Sequence, residues 1–66
     1  MRVTYDPRTD VLLVEFRADA AVAESDETSP GVILDFDAAG NVVSVEVLEA
    51  SQRVTGADQM DFRISR

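Results

Sequence analysis

Three carboxylates, Asp35, Asp37 and Glu46, are the residues whose type and spacing come nearest to a chemical site in this chain. Oxygen ligands of this kind hold Mg²⁺ or Ca²⁺, so a carboxylate cluster is the way this sequence could bind a divalent metal or a small ligand. The dense Asp-x-Asp-x-Asp-Gly loop of a calcium site is absent, however. Asp37 stands where a turn needs an Asx side chain to cap backbone amides, and Asp35 and Glu46 read equally well as strand positions facing solvent or an Arg. That turn-and-surface reading is preferred, and no catalytic, cofactor-binding or metal-ligating residue is assigned.

Three other groups have a chemical reading and a plainer one. Ser51 with Arg53 could bind an oxyanion, but the pair also suits the start and end of a helical turn. Ser51 as a nucleophile would need a base, and the chain offers neither imidazole nor lysine. Tyr5-Asp6-Pro7 could set a phenol beside a carboxylate; a core aromatic followed by a turn is the simpler account. The acidic run Glu24-Ser25-Asp26-Glu27 would protect an exposed sheet edge from aggregation. It would also dock a basic protein partner, with electrostatic steering of the encounter.

Absent residue types narrow the function classes further. With no His and no Cys, the usual zinc, haem and iron-sulfur ligands are missing, as are thiol nucleophiles and disulfides. All six basic residues are Arg, so lysine Schiff-base chemistry is excluded as well. Thirteen acids against six Arg give a net charge of -7, which repels nucleic-acid backbones and anionic lipid. No apolar run approaches the roughly 18 residues of a membrane span, and the start of the chain has no basic-then-apolar leader pattern. The expected location is the cytoplasm, with no membrane and no direct nucleic-acid partner.

These side chains must be positioned by strands. Sixty-six residues suffice for one small domain, spanning 1–66. Short runs of Val, Ile, Leu, Phe and Tyr between Asp/Pro/Gly/Asn clusters predict a mainly β protein, a small antiparallel meander of five to six strands. The expected strands are Arg2 to Tyr5, Val11 to Phe16, a short edge strand around Ala21 to Ser25, Val32 to Phe36, and Val42 to Leu48. A turn falls at Ser29-Pro30-Gly31, and a four-residue loop, Asp37 to Gly40, joins the clearest hairpin. With Phe36 and Asn41 flanking that loop, Leu34 faces Val43, Val32 faces Val45 and Asp35 faces Val42. Val32, Leu34, Val43, Val45 and Val47 then form the core face. A short helical turn is expected near residues 49–54, ended by Gly56, and the alternation of Met60, Phe62 and Ile64 predicts a sixth strand at the C-terminal end.

Met1-Arg2-Val3-Thr4-Tyr5-Asp6-Pro7, the run Leu12-Leu13-Val14, Gly31-Val32-Ile33-Leu34-Asp35-Phe36-Asp37, Gly40-Asn41-Val42-Val43 and Val45-Glu46-Val47-Leu48-Glu49-Ala50-Ser51 together resemble one family. It consists of short prokaryotic proteins known as the domain of unknown function numbered 2283. The resemblance covers about residues 1–51 and leaves 52–66 as an extension. Val11 and Leu13 stand where relatives often carry small or aromatic residues, and Phe36 where Tyr is common. The family name implies no activity, cofactor or catalytic residue. Some relatives are encoded beside small toxin-like proteins, which implies an antitoxin-like, partner-binding role.

Apolar residues on both sides of the strands lead to an expectation about association. Val11, Leu13, Ile33, Val42 and Leu48 fall opposite the core face, where they would form an exposed patch that monomers avoid. A homodimer is expected, in which this reverse face or an edge strand packs against its symmetry mate. The expected function is therefore a non-enzymatic homodimeric interaction module with a possible small basic protein partner, the carboxylate-cluster ligand site being the alternative.

Overall fold

Alternating apolar residues between turn-forming clusters give five strands and one helical turn across the described residues, 1–66, of the computed structural model. They are β1 (Arg2–Asp6), β2 (Val11–Glu15), β3 (Glu24–Ser29), β4 (Val32–Phe36), β5 (Val42–Leu48) and α1 (Ala50–Arg53). The strands make one wholly antiparallel sheet in the order β1-β2-β5-β4-β3. The fold is mainly β, as the alternation predicts.

The path through the sheet follows from composition. β2 is apolar on both sides and lies between β1 and β5, whereas the polar β3, Glu-Ser-Asp-Glu-Thr-Ser, takes an edge with all six residues exposed. Residues 16–23 therefore carry the chain across one end of the sheet instead of turning tightly back. Along that crossing Phe16 and Arg17 N–H both donate to the Val43 carbonyl, at 2.8 and 3.2 Å.

Two expected strands require correction. The edge strand is Glu24–Ser29, not Ala21 to Ser25. The alanines have little side chain to pair across strands, while Ser25 donates to Asp35 at 2.6 Å and so helps fix the pairing of β3 with β4. No sixth strand forms at Met60 to Ile64, because the chain there has no backbone partner in this molecule.

The central hairpin keeps its expected strands but shifts register by two residues. Leu34 pairs with Val45, Val32 with Val47, Ile33 with Glu46 and Asp35 with Ser44. A two-residue slip leaves every side chain on its own face, so hydrophobic alternation rejects odd slips only. The turn makes the choice. Asp37 N–H donates to Asn41 O at 2.9 Å and Gly40 N–H to Asp37 O at 3.0 Å, with Gly40 at φ +84°. Phe36 then meets Val42, leaving Val43 as a bulge between paired residues.

Cross-strand pairing lays out both faces. One carries the rows Val3–Val14–Val45–Leu34 and Tyr5–Leu12–Val47–Val32. The reverse carries Thr4–Leu13–Glu46–Ile33–Glu27 and Arg2–Glu15–Ser44–Asp35–Ser25, with Val11 beside Leu48. Of the expected core only Val43 is buried, at 4 % exposure; the other buried residues are Ala50, Asp35 and Ser44. Val32, Leu34, Val45 and Val47 are half-buried, because one sheet with a four-residue helix has no second layer to cover them.

Whole-molecule dimensions agree. The radius of gyration is 12.5 Å, against about 10.8 Å for a compact chain of this length. The accessible surface is 5014 Å², against roughly 4,100 Å² for a compact monomer of this mass. Residues 54–60 pass over the first face at β1 and β2, beside Val3, Tyr5, Leu12 and Val14.

Candidate functional site

The reverse face holds the most connected polar group. Asp35 is buried at 6 % exposure and accepts hydrogen bonds from Ser25 Oγ on β3 and Ser44 Oγ on β5, both at 2.6 Å. Glu46 lies diagonal to it on β5, on the same face of the sheet. Burial alone would push Asp35 up, but the two hydroxyls and Glu46 hold it below the usual aspartate value. Glu46 moves the other way, raised by burial and then by the hydrogen bond and charge of Asp35. A carboxylate held by two hydroxyl donors, beside a second carboxyl group whose pKa is raised, forms a closed, satisfied network. No buried side-chain polar atom of the molecule lacks a partner.

Asp37 does not join this pair. Its Oδ1 accepts from Ala39 N–H at 3.0 Å and Asn41 N–H at 2.8 Å, and its Oδ2 from Asn41 Nδ2 at 3.0 Å. Those bonds, the Asn41 side chain foremost, lower its pKa, with a smaller contribution from Arg17 at 3.4 Å. Its work is closing the β4–β5 loop, as a turn residue should. Nowhere do three acidic side chains converge as a metal cage would require.

Asp10 organises a second network. It sits at φ +58° where β2 begins, and its carboxylate accepts from Tyr5 Oη at 2.7 Å, Ser51 Oγ at 2.7 Å and Ser51 N–H at 3.0 Å. The Ser51 hydroxyl and Tyr5 lower the Asp10 pKa, and the Asp10 bond raises that of Tyr5. Asp10 O also accepts from Ala50 N–H at 2.9 Å. Together these bonds tie the first hairpin to the start of α1. Ser51 is thus a structural donor, and Arg53 donates through Nη2 to Pro30 O instead of facing an anion. Asp6 caps its own turn by accepting from Arg8 N–H at 2.9 Å.

Sequence reasoning missed Asp10 because its partner Ser51 lies 41 residues away and no local pattern connects them. It also read Ser25 merely as part of an acidic run, when its hydroxyl is directed to Asp35. Within that run Glu27, itself exposed, turns back to accept from Gly31 N–H at 3.1 Å, while Glu24 and Asp26 are the other exposed acids of the edge.

The remaining feature is apolar. Residues 54–60 and the β1–β2 face enclose an open groove of about 1120 Å³ lined by Met1, Val3, Tyr5, Leu12, Val14 and Met60 among others. It contains no nucleophile with a base, and its polar lining is confined to a few side chains such as Ser51 and Asp58. Beside it on the same face lie the half-buried Val45, Val47, Val32 and Leu34.

No helix is long and apolar enough to cross a membrane. No curated protein and no solved structure matches the chain. A family model does match, over residues 2–51, which take in all five strands and the start of α1. The chain accordingly belongs to the family described as Protein of unknown function (DUF2283).

Proposed function

We propose that this protein is a non-enzymatic homodimeric interaction module, in which two copies pack the Val32/Leu34/Val45/Val47 face together. One observation carries the reading: eight apolar side chains in two continuous rows lie on one face of the sheet, and none of them is buried. A contiguous apolar patch of that kind marks an interface. The surface beyond that of a compact monomer, about 900 Å², is close to the roughly 800 Å² that each partner contributes to a standard interface. Face-to-face packing would place two sheets about 10 Å apart and supply the second layer a single copy lacks. This reading sets the interface on this face and not on the reverse face first expected, because the Asp35–Glu46 pair stands at the centre of the reverse face, whereas acid enters this one only at its β3 edge, with Asp26 beside Leu34.

Dimerisation would leave β3 free as an acidic edge. Glu24 and Asp26 there, in a chain of net charge -7, favour a basic protein partner and support the antitoxin-like reading. The enzymatic alternatives have weaker support: Ser25, Ser44 and Ser51 each donate to a carboxylate that organises structure.

Analytical ultracentrifugation of the full chain tests the dimer. Twice the monomer mass is expected at micromolar concentration, and Leu34→Glu should shift the molecule to monomer without loss of strand signal in circular dichroism. A wild-type monomer at that concentration would remove the proposal.

A further inference from the structure

The segment from Met60 to Ile64 alternates as a strand does, Met60, Phe62 and Ile64 against Asp61 and Arg63, yet it pairs with nothing. Its three apolar side chains are 65–66 % exposed, among the most exposed large apolar residues of the molecule. The segment lies beyond the residues matched by the family model, so the common fold does not account for it. Met60 leaves the groove beside Met1, Val3 and Tyr5, next to β1.

The sheet has two edges, and they differ. β3 is protected by exposed Glu24 and Asp26 and by an irregularity in its pairing between Glu27 and Ser29. β1 is less protected: its one acid, Asp6, lies at its far end and accepts from Arg8 N–H, its pairing with β2 is regular, and its outer backbone is unpaired. Such an edge accepts an added strand.

We infer that Met60–Ile64 of one copy adds to the β1 edge of a second copy, the exchange being reciprocal, so that the sixth strand of the sheet is supplied in trans. This rests on the dimer proposed above, which holds a second β1 edge in the same assembly as the departing tail. A parallel alignment sets Met60, Phe62 and Ile64 beside Met1, Val3 and Tyr5, and Asp61 beside Arg2. The antiparallel register that engages the same three apolar residues sets Arg63 against Arg2, like charge on like charge. Charge complementarity therefore selects the parallel strand.

The test uses the full chain. In a dimer of isotope-labelled and unlabelled copies, filtered NOE spectra should show the Phe62 ring against Val3 methyls across chains. Phe62→Glu with Ile64→Glu should weaken dimerisation roughly 100-fold by sedimentation equilibrium, two large apolar contacts being lost. Asp61→Arg should weaken it a few-fold, and Arg2→Asp in the same chain should restore it. Wild-type affinity in the double glutamate variant, or only intrachain NOEs from Phe62, overturns the exchange and leaves the face-to-face dimer standing. A wild-type chain that is monomeric at micromolar concentration overturns both.

Discussion

The two carboxyl groups of the reverse face shift in opposite directions. Asp35 is stabilised as a carboxylate by Ser25, Ser44 and Glu46, while Glu46 is driven toward its neutral form by burial and by Asp35. The two shifts act in opposite directions on stability. Glu46 has a raised pKa in the fold, so its contribution is full below the ordinary glutamate value and is lost as pH rises through the raised one. Asp35 has a lowered pKa, so its contribution is present above the ordinary aspartate value and disappears on acidification. Glu46→Gln keeps a donor for Asp35 and carries no charge. It should raise the thermal midpoint at pH 7 relative to wild type, the gap closing toward pH 4 as wild-type Glu46 takes up its own proton; a pH series of melts reads this directly. Ser44→Ala removes one of the two hydroxyl donors to buried Asp35 and should cost about 1–3 kcal/mol in denaturant unfolding. The sequence placed Asp35 and Glu46 on one face of adjacent strands, because parity follows from alternation. It gave no sign that Ser25 and Ser44 would face Asp35, since that depends on which residues lie opposite.

Turns and caps settle what alternation leaves open at the level of elements. Gly31, at φ +80°, ends the β3–β4 turn with Arg53 folded over it; a Cβ there would lie 3.0 Å from Arg53 Nη2. Glu49 takes a similar left-handed conformation, φ +52°, at the entry to α1, and forms no side-chain cap. The two positions should respond oppositely. Gly31→Ala should destabilise by about 1–2 kcal/mol, the left-handed penalty for a side chain. Glu49→Gly should be neutral or stabilise by up to about 1 kcal/mol by relieving the same penalty. Chemical denaturation of the pair of variants checks the sign of each. The clearest hairpin was legible in strand limits because Val32–Phe36 and Val42–Leu48 are bounded by Gly and Asp-Gly turns. Its register was not, because a two-residue slip preserves both faces and only the Asp37–Asn41 closure distinguishes them.

For the molecule as a whole, the question is where a one-layer sheet finds its second layer. A dimer couples folding to association, so the thermal midpoint of the full chain should rise with protein concentration. Over a hundredfold range the increase should be plain in scanning calorimetry, and an unchanged midpoint would contradict a dimer. Leu34→Glu should flatten that dependence. The apolar rows, the extent of 34 × 33 × 19 Å and the single buried valine describe one missing layer from three sides.

Alternation and turn chemistry, both local, determined on their own that this chain would be a mainly β antiparallel sheet with a helical turn after Leu48. Composition likewise put the acidic run at an edge. Tertiary structure alone decided that β2 lies beside β5, that the hairpin sits two residues along, and that Asp10 joins Tyr5 to Ser51. Each of these depends on contacts between residues distant in the chain. A period of two records which way a side chain points and carries no record of what stands opposite it.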